Sequence, residues 1–333
     1  MSERANVVRV KRKVEGAVSA ADFEIAAKDL APLADGDVLV RNLFVSVDPY
    51  MRLPLTGRAG VKAPIGIGSE MSGAAVGIVE QSRSPRLAAG DTVMGQSGWC
   101  DRAVVSAAAL QKLNVDGIEP SWYLGILGLS GITAYAGIEE VIQPTALETL
   151  FVSSAAGAVG VLAAQLAKLR GARVIGSAGS DEKCRWLVGE VGLDAAVNYR
   201  SEDLGAFLAR ECPNGLDCYF DNVGGTTLDA ALRALRPRGR IGLCGAMSQY
   251  NDDNYRAGPS EFFTVIEKGL TITGFNAGMY GAKAAAFLPT LAAHLKAGKL
   301  IWHEVTFEGI ANVPDAFASL FDGRSIGKVI VRL

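Results

Sequence analysis

The stretch from Leu150 to Ser177 constrains this chain more than any other. An apolar run, Leu150-Phe151-Val152, leads into Ser153-Ser154-Ala155-Ala156-Gly157-Ala158-Val159-Gly160; an Ala-rich amphipathic segment continues to Leu169, and Gly171 precedes a second apolar run at Val174-Ile175. Strand, small-residue turn, helix and strand in that order form a unit that only a parallel sheet completes. The turn has the spacing of the G-x-G-x-x-G dinucleotide fingerprint, with Ala155 in place of the first glycine. In that pattern Gly157 lets backbone approach a pyrophosphate and Gly160 lets the helix pack close to the strand. The helix start at Ala158 and Val159 offers free N–H groups and a positive dipole end. An ordinary strand–helix crossover is the plainer alternative, since small residues abound in this chain.

The end of the second strand bears on which dinucleotide fits. Sites for NAD usually carry an acidic residue about 20 residues after the fingerprint, bonded to the ribose. Here the strand ends Gly176-Ser177-Ala178-Gly179-Ser180, with no carboxylate at its tip. Asp181 and Glu182 read as first-turn residues of a helix capped by Ser180. Lys183 beside them is placed to meet a 2′-phosphate, so NADP(H) is favoured, although taken alone it reads more readily as a solvated helix lysine.

Residues 1–122 read as short strands with glycine turns, among them Asp37–Val45, Ala74–Glu80 and Asp91–Gly95, a β-rich barrel-like module. Residues 123–302 alternate strand and helix. Six strand candidates, Thr149–Ser153, Arg173–Ser177, Ala195–Asn198, Asp217–Asp221, Arg240–Gly245 and Thr271–Phe275, match the sheet of a full dinucleotide fold. A long helix is expected over Lys283–Ala297. Residues 303–333 become strand-like again at Glu304–Phe307 and Gly327–Val331 and are expected to rejoin the first module.

Length and composition bound the partners. With 333 residues, 49% of them hydrophobic, the chain can bury a large core in two domains. A net charge of −2 gives no electrostatic case for nucleic acid or an anionic membrane. No apolar run approaches the ~20 residues that span a bilayer, and no secretory leader opens the chain. Cys100, Cys184, Cys212, Cys218 and Cys244 are scattered, without a C-x-x-C pair, as expected of reduced thiols in a cytoplasmic protein.

The only histidines are His294 and His303, each read as structural or exposed. A catalytic or structural zinc site therefore lacks its usual ligands, and no metal is expected. No G-x-S-x-G elbow supports a serine hydrolase. Negative charge developing in a reaction must then be held by hydrogen-bond donors. These are concentrated in one loop, Cys244-Gly245-Ala246-Met247-Ser248-Gln249-Tyr250-Asn251; Asp221-Asn222-Val223-Gly224-Gly225 follows the neighbouring strand, its glycines letting backbone approach a ligand. Both follow the carboxyl ends of parallel strands, where such sheets bind ligands. Tyr250 offers a phenol to a developing enolate oxygen; without further context it reads as a packing tyrosine.

Several stretches together resemble the zinc-free medium-chain dehydrogenase/reductases. More narrowly, they resemble the NADP-dependent alkenal/enone double-bond reductases of the leukotriene B4 12-hydroxydehydrogenase/prostaglandin reductase and curcumin reductase type. They are Val47-Asp48-Pro49-Tyr50-Met51-Arg52, Gly131-Ile132-Thr133-Ala134-Tyr135, the Ala155–Gly160 turn, Gly179-Ser180-Asp181-Glu182-Lys183, Asn198-Tyr199, Asp217–Gly225 and Cys244–Asn251. The resemblance implies an α/β fold: a Rossmann-type doubly wound parallel-sheet domain plus a β-rich GroES-like barrel domain. It places pyrophosphate at Gly157, Ala158, Val159 and Gly160, and the 2′-phosphate at Lys183 and Tyr199. Ser177, Asn222, Val223, Cys244, Gly245, Ala246, Ser248, Tyr250 and Phe275 would line the cofactor. Tyr50, Met51 and Met279 are the candidate substrate contacts. Ser325 departs from the family, which usually has asparagine two residues before the Gly327-Lys328 pair. The segment Gly95–Asp101, expected to border the substrate cleft, also differs from the mammalian pattern.

The activity implied is NADPH-dependent reduction of the C=C bond of α,β-unsaturated ketones and aldehydes. Hydride would go to the β-carbon, with the enolate held by Tyr250 and the cofactor ribose. A homodimer joined near Leu270–Gly278 is implied by the same analogy. The rivals are an NADPH quinone oxidoreductase on the same scaffold, a crystallin-like or sensor protein that binds NADPH without turnover, and, weakest, a zinc alcohol dehydrogenase.

Overall fold

The computed structural model describes residues 3–56, 64–251 and 258–333. Its contacts divide it into two compact units. One comprises Met1–Leu124, Glu304–Ser325 and Val329–Leu333; the other comprises Gly125–His303 and Ile326–Lys328. In chain order the strands are β1 Arg4–Val10, β2 Phe23–Asp29, β3 Asp37–Ser46, β4 Ala75–Ser82, β5 Thr92–Gly95, β6 Arg102–Ser106, β7 Gln111–Lys112 and β8 Thr149–Val152. There follow β9 Arg173–Ala178, β10 Ala195–Asn198, β11 Leu216–Asp221, β12 Leu235–Leu243, β13 Thr271–Gly274, β14 Glu304–Glu308 and β15 Lys328–Arg332.

The second unit is built on a six-stranded sheet in the order β10-β9-β8-β11-β12-β13, every pair parallel. Numbered from β8 this is 3-2-1-4-5-6, the doubly wound order, whose direction reverses between β8 and β11. Leu150, Phe151 and Val152 of β8 and Cys218, Tyr219 and Phe220 of β11 are wholly buried. Central parallel strands are covered on both faces, which is why these runs are apolar without alternation. Phe151 stacks on Tyr219 with ring centroids 5.0 Å apart. They share a cluster with Ile175, Phe207, Leu232 and Ile241. The helix Ala158–Leu169 buries every residue from Gly160 to Ala167, so small side chains there let it lie close on the sheet.

Two boundaries differ from the sequence expectation. β12 begins at Leu235 rather than Arg240, because Leu235 pairs with Leu216 before the register shifts. The exposed Arg236-Pro237-Arg238 stretch, with Arg238 at φ +66, disguises that start as a loop. The long helix runs Gly281–Lys296 and contains Pro289.

The first unit holds a sheet in the order β14-β15-β3-β4-β5-β7, with β6 also pairing β3, and a separate antiparallel pair β1-β2. The returning tail supplies β15, antiparallel to β3 with Val331 opposite Val45. Trp99, 1% exposed, packs edge-on to Phe23 and Phe317 at 6.0 and 5.2 Å. Its indole N–H donates to the Ser46 carbonyl at 3.0 Å.

Candidate active site

Between β8 and the helix Ala158–Leu169 the chain makes a cramped turn. Ser154 sits at φ +50, a left-handed conformation uncommon outside glycine. A Cβ on Gly160 would fall 2.2 Å from the Ser154 carbonyl oxygen, so no side chain fits there. The Gly157 N–H donates to Ser154 O at 3.0 Å, and Val161 N–H donates to Gly157 O at 2.9 Å as the first helical bond. The N–H groups of Ala158, Val159 and Gly160 thus precede the helical ladder, and Gly157 at the cap supplies no side-chain acceptor. The Gly327 N–H donates to Ala156 O at 2.8 Å, which braces the turn from its other side. Gly327 is at φ +73, and a Cβ there would lie 2.1 Å from His303 O.

The end of β9 collects the groups expected at a 2′-phosphate. Ser177 is buried, and its carbonyl accepts the Ala155 N–H at 2.9 Å. The next helix spans Asp181–Gly189, and the Ser180 hydroxyl accepts the Lys183 N–H at 3.3 Å. Lys183 itself is largely buried. Asp181 is bound by the Asn198 amide at 2.7 Å. Tyr199 is half exposed; its hydroxyl lies 3.1 Å from where a Gly179 Cβ would stand, and the Arg200 guanidinium lies 6.0 Å from its ring centre.

At the reversal point Ser153 and Asn222 join the ends of β8 and β11. The Asn222 N–H donates to Ser153 Oγ at 3.0 Å, and its amide donates to Ser153 O at 2.7 Å. After β12 the chain folds a single helical turn, Met247–Tyr250, over the Asn222–Gly225 turn. The Met247 N–H donates to Asn222 O at 3.2 Å, and the Ser248 hydroxyl donates to Val223 O at 2.6 Å. The Tyr250 oxygen accepts the Ala246 N–H at 3.4 Å, and its own proton meets no acceptor among the described residues. Burial pushes this phenol above its ordinary value of 10, with Cys244 and Asp221 adding to the shift and the Ala246 N–H opposing it. Tyr250 is therefore a protonated donor at neutral pH.

The remaining candidates are placed less openly. Phe275 is 6% exposed and packs edge-on to Phe220, so its ring belongs to the core. The Cys244 thiol is pushed by burial to about 12, which keeps it from acting as a nucleophile. The Ser325 hydroxyl donates to Ser319 O at 3.1 Å. Met51 is 3% exposed within the first unit's core, beside the partly buried Tyr50. Burial, and secondarily Asp48, pushes the Tyr50 phenol to about 12. Met279, in the second unit, is 66% exposed. His303 lies edge-on to Trp186 at 6.4 Å. Among the described residues no three His, Cys, Asp or Glu side chains converge as a metal would require.

Comparison with known proteins settles the family. Residues 7–113 match a family described as the N-terminal domain of oxidoreductase, and residues 158–293 one described as zinc-binding dehydrogenase. The chain is 40% identical to the NADP-dependent 2-alkenal reductase of Nicotiana tabacum, covering 97% of this chain and 96% of that protein. It is 37% identical to the NADPH-dependent curcumin reductase of Escherichia coli K12, over 96% and 94%. The chain belongs to the medium-chain dehydrogenase/reductase superfamily. Its fold agrees: the crystal structure of CurA from Vibrio vulnificus in complex with NADPH superposes with a TM-score of 0.93 at 34% identity, covering 99% of each chain. Within this superfamily the chain groups with the alkenal and enone reductases. The sequence shows Asp221 and Ser153 within their motifs without a role for either; the linear signal at Asp221 is an Asp-Asn pair closing an apolar strand.

Proposed function

We propose that this medium-chain reductase uses NADPH to reduce the C=C bond of α,β-unsaturated ketones and aldehydes. The observation that carries the reading is Tyr250: a protonated phenol, its hydrogen uncommitted, on the loop after β12 and packed over the Asn222–Gly225 turn. The residues present fit the cofactor. Three N–H groups open the helix at Ala158, and a side chain at Gly157 would crowd Ser154 at 3.2 Å. Lys183 and Tyr199 would hold the 2′-phosphate, undisturbed by Asp181, which Asn198 restrains. Ser177, Asn222, Val223, Cys244, Gly245, Ala246, Ser248 and Ser325 would flank the rest, with Phe275 supporting from the core.

When bound, NADPH supplies a hydride. The chain's task is to hold the carbonyl oxygen that becomes negative as hydride reaches the β-carbon. Tyr250 donates to that oxygen more strongly as charge grows, which lowers the barrier without requiring a dedicated acid, since water can protonate the α-carbon. Of the expected substrate contacts, Met279 belongs to the same unit as Tyr250, and Tyr50 and Met51 belong to the other.

Exposed Phe262, Phe263 and Ile266 belong to the helix Phe262–Lys268, close in sequence to the half-exposed edge strand β13. This supports a homodimer formed at that edge, which sedimentation would resolve from a monomer. No helix among the described residues is long and apolar enough to cross a membrane. The cytoplasmic setting rests on the five unpaired cysteines, as expected of reduced thiols.

NADPH consumption measured with short enals, long-chain enones, quinones and, in reverse with NADP, saturated alcohols tests the assignment. Rapid turnover of enals or enones is expected. Turnover of quinones alone would reassign the chain as a quinone reductase, and tight NADPH binding without turnover would make it a binding protein.

A further inference from the structure

The carboxyl end of β11 carries a group that the proposed chemistry does not use. Asp221 is wholly buried. Its Oδ1 accepts the Tyr219 hydroxyl at 2.6 Å, the Val223 and Gly224 N–H groups at 2.8 Å each, and the Ser153 hydroxyl at 3.3 Å. Its Oδ2 is buried with no hydrogen-bond partner, and no ion pair reaches it among the described residues. Burying a carboxyl without a cation is costly, and capping a turn needs only an asparagine or serine. A carboxyl kept here calls for a further reason.

The hydrogen bonds lead from Asp221 to the phenol. The two N–H groups on Oδ1 shape the turn at Val223 and Gly224, the latter at φ +68. The Val223 carbonyl then accepts both the hydroxyl and the N–H of Ser248, at 2.6 and 3.1 Å. The fit is tight: a Cβ on Gly225 would stand 2.9 Å from Ser248 Oγ. The Asp221 carbonyl also accepts the N–H groups of Cys244 and Gly245, at 2.8 and 3.1 Å, fixing the start of the same loop. Ser248 stands two residues before Tyr250 on a single helical turn.

We infer that Asp221 is a positioning residue for Tyr250: through its Oδ1 it fixes the Val223–Gly224 turn on which Ser248 rests, and so sets where the phenol points. This rests on the reading of Tyr250 as the donor to the substrate oxygen. Asp221 is 0% exposed and presents no surface to a ligand, so on this inference it acts through the turn it holds.

A double-mutant cycle in the full-length protein tests this, with kcat for an enone, NADPH affinity by fluorescence and Tm measured for each variant. With Tyr250 present, Asp221→Asn should lower kcat roughly ten- to a hundredfold, the scale set by misplacing a reacting group. Combined with Tyr250→Phe it should cost less than about twofold more, because the two act as one unit. Ser248→Ala should repeat the pattern with a smaller loss, and it carries the test if Asp221→Asn does not fold. Losses that multiply in the double variants would show Asp221 to be structural alone and overturn the inference. If Tyr250→Phe itself keeps full activity, the reading of Tyr250 fails first, and that result is distinct from multiplying losses.

Discussion

At the amino end of β11, Asp217 accepts the Thr149 N–H at 2.8 Å and lies against the Arg236 guanidinium; at the carboxyl end, Asp221 meets only neutral donors. The contrast extends across the sheet. Beside Asp217, Arg240 grips Glu148 with two bonds of 2.8 Å, and Arg173 pairs with Glu211 at 2.7 Å. At the other end stand helix N–H groups ahead of the ladder, a left-handed Ser154 and a phenol with its proton uncommitted. A satisfied end holds the fold, whereas an end left with uncommitted donors suits the ligand proposed for it. The same six strands serve both tasks because a parallel sheet collects all its carboxyl ends on one side.

The largest expected effect that could break this contrast is at Tyr250. Tyr250→Phe should lower kcat roughly 10²–10³-fold, about 2.7–4 kcal/mol of barrier, with NADPH affinity and Tm unchanged; a wild-type kcat would refute the division. At the opposite end, Glu148→Gln should lower unfolding free energy by about 1.5–3 kcal/mol in urea melts while leaving kcat intact. Arg240 and the Thr145 N–H hold the Glu148 carboxyl at about 2, below its ordinary 4.5. Its stabilisation is therefore complete above pH 4.5 and lost as pH falls from there towards 2, and Glu148→Gln should remove that part of the acid sensitivity.

Lys183→Ala sharpens the account of the ligand end. It should raise the Kd for NADPH roughly ten- to a hundredfold, the worth of a hydrogen bond to a charged group, and leave NADH nearly untouched. Equal losses for both would remove the 2′-phosphate contact. The smallest effect is a flat line. Because burial raises the Tyr250 phenol above 10, the donor form persists and kcat should stay level from about pH 6 to about pH 9. A fall within that range that Tyr250→Phe abolishes would contradict the raised phenol.

Much of the fold was legible because it is written in contiguous residues. The Leu150–Val152 run, the Gly157–Gly160 turn and the Ser180 cap each depend on neighbours within a few positions. Asp221 was not legible: its meaning comes from Ser153, 68 residues earlier, and from a turn that only the register of β8 and β11 brings alongside. Met51 and Phe275 are 3% and 6% exposed, a burial that a sequence match does not tell. At Ser325 the departure was visible, but the partner its hydroxyl takes, Ser319 O, was not.

Transfer of deuterium from 4-deuterated NADPH to a conjugated enone, followed by NMR of the product, tests the central claim most directly. The account predicts a saturated ketone with the label on its β-carbon. An allylic alcohol with the label on the former carbonyl carbon would contradict it.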